Sequence, residues 1–139
     1  MPSILNTQMQ IVAEFEALES WEDRYKRIIQ IGRELPPLPT EDQRDEHKVR
    51  GCSSTVWLLA DRDQGLVTYR ADSDAVIVRG LVALLLRVYS GHSPQEIINA
   101  EPAFIEELGL NTNLSSNRAN GLSAMVKQIK TYALAFANS

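Results

Sequence analysis

Residues 54–71 read STVWLLADRDQGLVTYRA. Two runs rich in β-branched and aromatic residues, STVWLLA and LVTYRA, flank DRDQG, a short polar stretch ending in glycine. Such side chains fit a pleated, half-buried surface, and a glycine-terminated loop of this length can turn one strand back onto another. The stretch predicts an antiparallel hairpin. KVR at 48–50, just before Gly51, predicts a further short strand beside it.

Away from the hairpin the pattern is helical on both sides. Downstream, Ser73 is the expected N-cap of a helix from Asp74 to about Tyr89, apolar nearly all round and so the central buried element. Gly91 fits its exit. SPQE at 93–96 combines a serine cap, a proline at the first helical position and a glutamate at the third, and it opens a short helix to about Asn99. A further short helix is expected over 102–108, ended by Gly109. The last helix begins near Ser116 and keeps Leu122, Met125, Val126, Ile129, Tyr132 and Phe136 as its core stripe. Upstream, residues 4–18 have helical spacing, with Leu5, Met9 and Val12 on one face and Ile11, Phe15 and Leu18 beside them. Ser20 and Asp23 open a second helix with the stripe Trp21, Tyr25, Ile28, Ile29 and Leu35, which PPLP at 36–39 stops. The polar run TEDQRDEHK at 40–48 reads as an exposed loop. Strands grouped together, not alternating with helices, indicate an α+β fold: a small antiparallel sheet packed against several helices. With 139 residues, one domain spanning 1–139 is expected.

The chain is 44% hydrophobic and 23% charged, with a net charge of −4 and a pI near 5.2. That balance argues against nucleic-acid binding, which needs clustered Lys and Arg. RYKR at 24–27 is interrupted by Tyr25 and preceded by Glu22 and Asp23. The most apolar segment, AVIVRGLVALLLRVYSG, carries Arg79 and Arg87 and is not expected to span a membrane. MPSILNTQMQ has neither the basic start nor the apolar centre of a secretory signal. A single cysteine cannot close an internal disulfide, so a reducing location, the cytoplasm by default, is expected.

No CxxC, HxH or HExxH spacing occurs, and no metal is expected. Neither GxxxxGK[ST] nor GxGxxG occurs, so no nucleotide cofactor is expected either. The remaining chemistry lies in HKVRGCSSTVWLLA at 47–60, around Cys52. One reading makes Cys52 a buried structural residue, the usual fate of a free cysteine. Three local features point instead to a reactive thiol. Gly51 lets the backbone bend, or a partner approach, just before it. Cys52 precedes the apolar run instead of lying inside it. His47, Lys48 and Arg50 lie upstream, where positive charge favours the thiolate. A Cys–His hydrolase would need a base within hydrogen-bond reach. His47 is about 16 Å away if the segment is extended, and His92 could approach only through the fold. Without a second cysteine there is no internal disulfide cycle. A lone thiol can still take up a sulfur atom as a persulfide and pass it on by exchange at sulfur.

VRGCSSTVWLLA resembles the cysteine motif of the SufE family, sulfur acceptors for cysteine desulfurases. The similarity continues through DSDAVIVRGLVALLLRVYSGHSPQEI and LSSNRANGLSAMV, and WEDRYKRIIQIGRELPPLP is similar to that family's second helix and proline loop. It covers most of the chain, from about Phe15 to the last helix. The resemblance implies a SufE/IscU-like α+β fold with Cys52 as the persulfide carrier. It implies a pyridoxal-phosphate-dependent cysteine desulfurase as sulfur donor and an iron–sulfur cluster assembly scaffold as recipient, with no cofactor on this chain. IscU-type scaffolds hold a cluster or zinc with several cysteines. With one cysteine, this chain fits a carrier. It would be an accessory sulfurtransferase-type protein that stimulates the desulfurase, not a stand-alone enzyme. The competing reading is a non-catalytic binding module that regulates a desulfurase allosterically.

Arg118 stands in the first turn of the last helix, where a cation is mildly unfavourable. It is either solvated or structurally paired, or it is compensated by a carboxylate or by the sulfur site. Together with Gly51 and Arg50 it is expected to support Cys52 or to meet a partner. Asp72 and Asp74 read as capping residues, Trp57 as core or cavity lining. The Cys52 loop is expected to be partly buried and to move on binding. Oligomeric state stays open, a homodimer included.

Overall fold

The computed structural model describes residues 2–139. The hairpin forms where expected, with longer strands than the sequence suggested. β1 (Val56–Asp63) and β2 (Leu66–Ser73) pair antiparallel from Val56↔Ser73 to Asp63↔Leu66. The expected DRDQG loop shrinks to Gln64 and Gly65, with φ of 53° and 81°. Two positive φ values in a two-residue loop match the right-handed twist of the strands. Residues 61–63 therefore remain paired, though exposed. KVR contributes one bridge, Lys48↔Trp57, and one bond, Val49 N–H to the Val56 carbonyl at 2.8 Å. Gly51 then turns the chain away at φ 95°.

Central to the core is α3 (Val76–Tyr89), with Leu81, Val82, Leu84, Leu85, Val88 and Tyr89 each at most 1% exposed. It begins later than Ser73 suggests. Ala75 takes the cap position without a side-chain bond. The Ser73 hydroxyl instead accepts from the Ala75 amide and donates to the Thr55 carbonyl at 2.7 Å. Asp72 likewise does not cap the helix. It is buried, paired with Arg79 at 2.9 Å, and it accepts from the Leu38 and Ser73 amides. Arg79 also donates to the Leu35 carbonyl at 2.8 Å. This cluster ties the proline segment to the sheet and α3.

α2 (Trp21–Glu34) lies so close to α3 that a Cβ at Gly80 would stand 2.0 Å from the Ile28 carbonyl oxygen. At this close approach Ile28 and Gly32 are buried and Ile31 packs on the core with Trp21, Tyr25 and Leu35, while Ile29 does not join them. α1 (Ile4–Glu16) also departs from its expected face. Leu5 and Met9 are 64% and 60% exposed, and Ile4, Thr7, Gln8, Ile11 and Phe15 point inward. The reason is polar. The Gln8 amide donates to the Glu101 carbonyl and accepts from the Phe104 amide, each at 3.0 Å, so the inward face is set partly by hydrogen bonds that apolar periodicity does not report.

Residues 40–48 are not featureless: two single 3₁₀ turns, Thr40–Asp42 and Asp45–His47, interrupt them. α4 (Pro94–Asn99) has the full Ser93–Glu96 capping box. α5 (Ala103–Glu107) ends before Gly109, and α6 (Leu110–Asn113), a single turn, was not foreseen. α7 (Ser116–Ala137) is capped by Ser115. It docks on the rest of the molecule through Leu122, Met125, Ile129 and Ala133. Two tyrosines fix its register: Tyr69 donates to the Ile129 carbonyl at 2.7 Å, and Tyr132 to the Leu58 carbonyl at 2.8 Å.

Candidate functional site

The segment around Cys52 is held at both ends. On the upstream side the Val49 amide is bonded to β1. On the downstream side the Thr55 amide donates to the Asp74 carboxylate at 3.1 Å, and the Thr55 carbonyl accepts from the Ser73 hydroxyl. Gly51 supplies the positive φ that turns the chain between these ties. The loop folds back onto α7, so the Cys52 side chain packs against the core instead of pointing into water. Its thiol donates to the Gly121 carbonyl at 3.5 Å.

Beside the thiol lies a depression of about 250 Å³. Val78 and Leu81 of α3 and Met125 of α7 form its apolar floor, and Ser53, Ser54, Asn117 and Arg118 its rim, with Gly121 against the sulfur. The thiol thus sits beside a small, largely apolar niche whose rim carries a cation.

Arg118 comes from the first turn of α7, its amide capped by the Ser115 hydroxyl at 3.3 Å. Its side chain is exposed, and among the described residues no carboxylate pairs with it. Arg50 is exposed and does not line the niche. It lines a separate neighbouring groove with Glu46, Lys48 and Lys127. The structure thus brings Gly51 and Arg118 to the thiol and sets Arg50 on the adjoining surface.

The upstream cations do not activate the thiol as their sequence position suggested. Burial pushes the Cys52 thiol above its ordinary value, and no charged group is among the causes. Lys48 is engaged by Asp45 at 3.0 Å. His47 bonds through Nδ1 to the Asp42 carbonyl, and His92 is buried beside Glu96, bridged to Val67 near the hairpin turn. Neither histidine lines the niche, so no base stands ready for a Cys–His hydrolase. Among the described residues no three His, Cys, Asp or Glu side chains gather to hold a metal ion. Nor, among them, is any helix long and apolar enough to cross a membrane.

Sequence reading missed Gly121, Asn117, Val78, Leu81 and Met125 as neighbours of Cys52, because they lie on α3 and α7, far away in the chain. One signal was available: a glycine inside a strongly helical stretch, which costs stability unless something needs the space.

The SufE family model, described as an Fe-S metabolism associated domain, matches residues 9–133. An uncharacterized SufE-like protein of Rhizobium meliloti is 43% identical over 129 residues, covering 89% of this chain and 92% of that protein. One from Rhizobium etli is 45% identical, covering 89% and 87%. One from Synechocystis is 40% identical, covering 91% and 79%. Among solved structures, a hypothetical protein from Thermus thermophilus has a TM-score of 0.79 at 22% identity, over 96% of this chain and 97% of that one. That likeness concerns the fold alone.

Proposed function

The chain belongs to the SufE family, whose domain is associated with iron–sulfur metabolism, and from that premise we propose that it carries sulfur on Cys52 between a cysteine desulfurase and an iron–sulfur cluster assembly scaffold. The observation that carries this reading is the niche itself: the chain's single thiol, beside a small depression with an apolar floor and an arginine at its rim. Such a niche does not suit an enzyme that must hold an organic substrate. It suits a thiol that gains one sulfur.

In the transfer, the Cys52 thiolate attacks the outer sulfur of the desulfurase's cysteine persulfide. A sulfur–sulfur bond forms at Cys52. The bond within the donor persulfide breaks, its electron pair staying on the donor sulfur as a thiolate. The proton given up by Cys52 ends on that leaving thiolate, and no net oxidation occurs. Passage to the scaffold repeats the same exchange in the other direction. The donor's pyridoxal phosphate generates its persulfide, and nothing in the step requires a cofactor on this chain.

Cys52 must leave its niche for such an attack. Swinging out gives up one weak S–H···O bond and the burial of a small side chain, about 1–3 kcal/mol. Docking energy can supply that much. Leaving the niche also removes the burial that holds the thiol protonated, so the thiolate forms where the donor waits. Gly51 would serve as the hinge. Arg118 would face the persulfide, a stronger acid than a thiol and therefore anionic at neutral pH. Arg50, with Lys48 and Lys127, would meet an acidic surface of the desulfurase. A cytoplasmic location fits this exchange, since a reducing compartment keeps Cys52 free.

Cys52→Ser tests the reading against allosteric regulation. The variant should fold as the parent does and lose all stimulation of the desulfurase. Stimulation retained by the serine variant would instead identify a binding module through which no sulfur passes.

A further inference from the structure

Six of the chain's seven glycines have a reason in the folded backbone. Gly51, Gly65, Gly91 and Gly109 take positive φ. At Gly32 and Gly80 a Cβ would stand 2.6 Å and 2.0 Å from a carbonyl oxygen of the facing helix. Gly121 has neither reason. It is buried inside α7, where glycine is the poorest choice short of proline. A Cβ there would meet nothing closer than the Cys52 Sγ at 3.5 Å, and then the Cys52 Cα and Cβ at 3.9 Å each. Those are ordinary contact distances. Alanine would fit against the free thiol, so the folded chain in that form does not explain the glycine.

An alanine methyl would, however, take up the space on this side of Sγ that one more atom on the sulfur could use. We propose that Gly121 is the specificity-determining position of the sulfur site: its missing side chain provides the space in which the outer sulfur of a Cys52 persulfide is housed while the loop is folded in. The inference rests on the carrier reading and deepens it. An outer sulfur lies about 2 Å from Sγ, well inside the 3.5 Å that separates Sγ from the Cβ position. Val78, Leu81 and Met125, each at most 5% exposed, form the floor of the niche, which opens only toward its rim of Ser53, Ser54, Asn117 and Arg118. The depression beside Sγ is small and lined mainly by apolar side chains, which suits a single added sulfur better than a bulky polar adduct. Gly121 thereby shields a bound sulfane sulfur from solvent thiols until a partner draws the loop out.

Gly121→Ala tests this in two arms. In the first, the protein alone is treated with inorganic polysulfide. The Cys52 thiolate attacks the terminal sulfur of a hydropolysulfide and becomes a persulfide, and a polysulfide one sulfur shorter leaves with the electron pair of the broken bond. Mass spectrometry then follows loss of the added sulfur to dithiothreitol. The parent persulfide should survive about tenfold longer than that of Gly121→Ala, as expected when overpacking expels the outer atom. The thermal midpoint and the thiol titration read at the thiolate absorbance should not fall. Equal persulfide lifetimes in the two proteins, or a parent that takes up no sulfur from polysulfide, would overturn the proposal. The second arm replaces polysulfide with a cysteine desulfurase and cysteine. A parent persulfidated in the first arm and not in the second would sink the carrier reading alone, because the first arm measures the space beside Sγ whatever the partner.

Discussion

Cys52 is a half-buried thiol, and its burial should show in its titration. Burial raises its pKa above 9.0, the ordinary value taken for a free thiol. Alkylation of the isolated protein by iodoacetamide should therefore rise with pH along a curve displaced above that of an unfolded Cys52 peptide. A curve at or below the peptide's would show that the thiol is already activated and that the loop need not open. The sign for stability follows. A thiol with a raised folded-state pKa stabilises the fold below the unfolded-state pKa, and this contribution is lost as pH rises through the folded value. The sequence pointed to this residue and misjudged its surroundings. Of the charges adjacent in the chain, Lys48 is engaged by Asp45 and Arg50 is turned to the neighbouring groove. The arginine that lines the niche comes from α7.

At the level of elements, the same substitution should have opposite signs at two glycines. Gly80→Ala would push a methyl into the Ile28 carbonyl, 2.0 Å away. Relieving that clash means separating α2 from α3, with a loss of about 3 kcal/mol. Gly121→Ala meets only ordinary contacts, and should raise stability by about 0.5–1 kcal/mol through helix propensity. Urea denaturation of the two variants checks both signs, and destabilisation at Gly121 would mean that the helix tolerates no methyl there. Removing a tyrosine hydroxyl that fixes α7, by Tyr132→Phe, should cost about 1 kcal/mol, since it leaves the Leu58 carbonyl without the bond now made at 2.8 Å. Retention of full stability would show that water replaces the hydroxyl. Elements were the part of the structure most legible in the sequence. The hairpin, the SPQE cap and the apolar helix over 76–89 each rest on local chemistry. Where faces went wrong, at Leu5, Met9 and Ile29, the contacts that decide them are long-range: a buried glutamine bonded across 93 residues, and the close glycine contact between α2 and α3.

For the molecule as a whole, α1 is held to α3 by a two-pronged pair, Arg87 to Glu14, with both bonds at 2.9 Å. The arginine holds the Glu14 carboxyl below its usual range. A carboxylate lowered in the folded state stabilises above the unfolded-state pKa, near 4.5, and the contribution disappears as pH falls through the folded value. Both partners are more than a third exposed, so solvent screening limits the effect to about 0.5–1 kcal/mol. Glu14→Gln should lower stability by that amount at neutral pH and by almost nothing at pH near 3. An equal loss at both would mean that the pair acts through packing. The fold class could be read from grouped strands and helical periodicity. The niche could not, because it exists only where the loop, α3 and α7 meet.

The central claim is that sulfur passes through Cys52. It is tested most directly by incubating the protein with a cysteine desulfurase and cysteine carrying heavy sulfur, then measuring the mass of the Cys52 peptide. The expected result is one added heavy sulfur on Cys52, transferred onward when an iron–sulfur scaffold is supplied. An unmodified Cys52, under conditions in which the desulfurase itself is persulfidated, would contradict it.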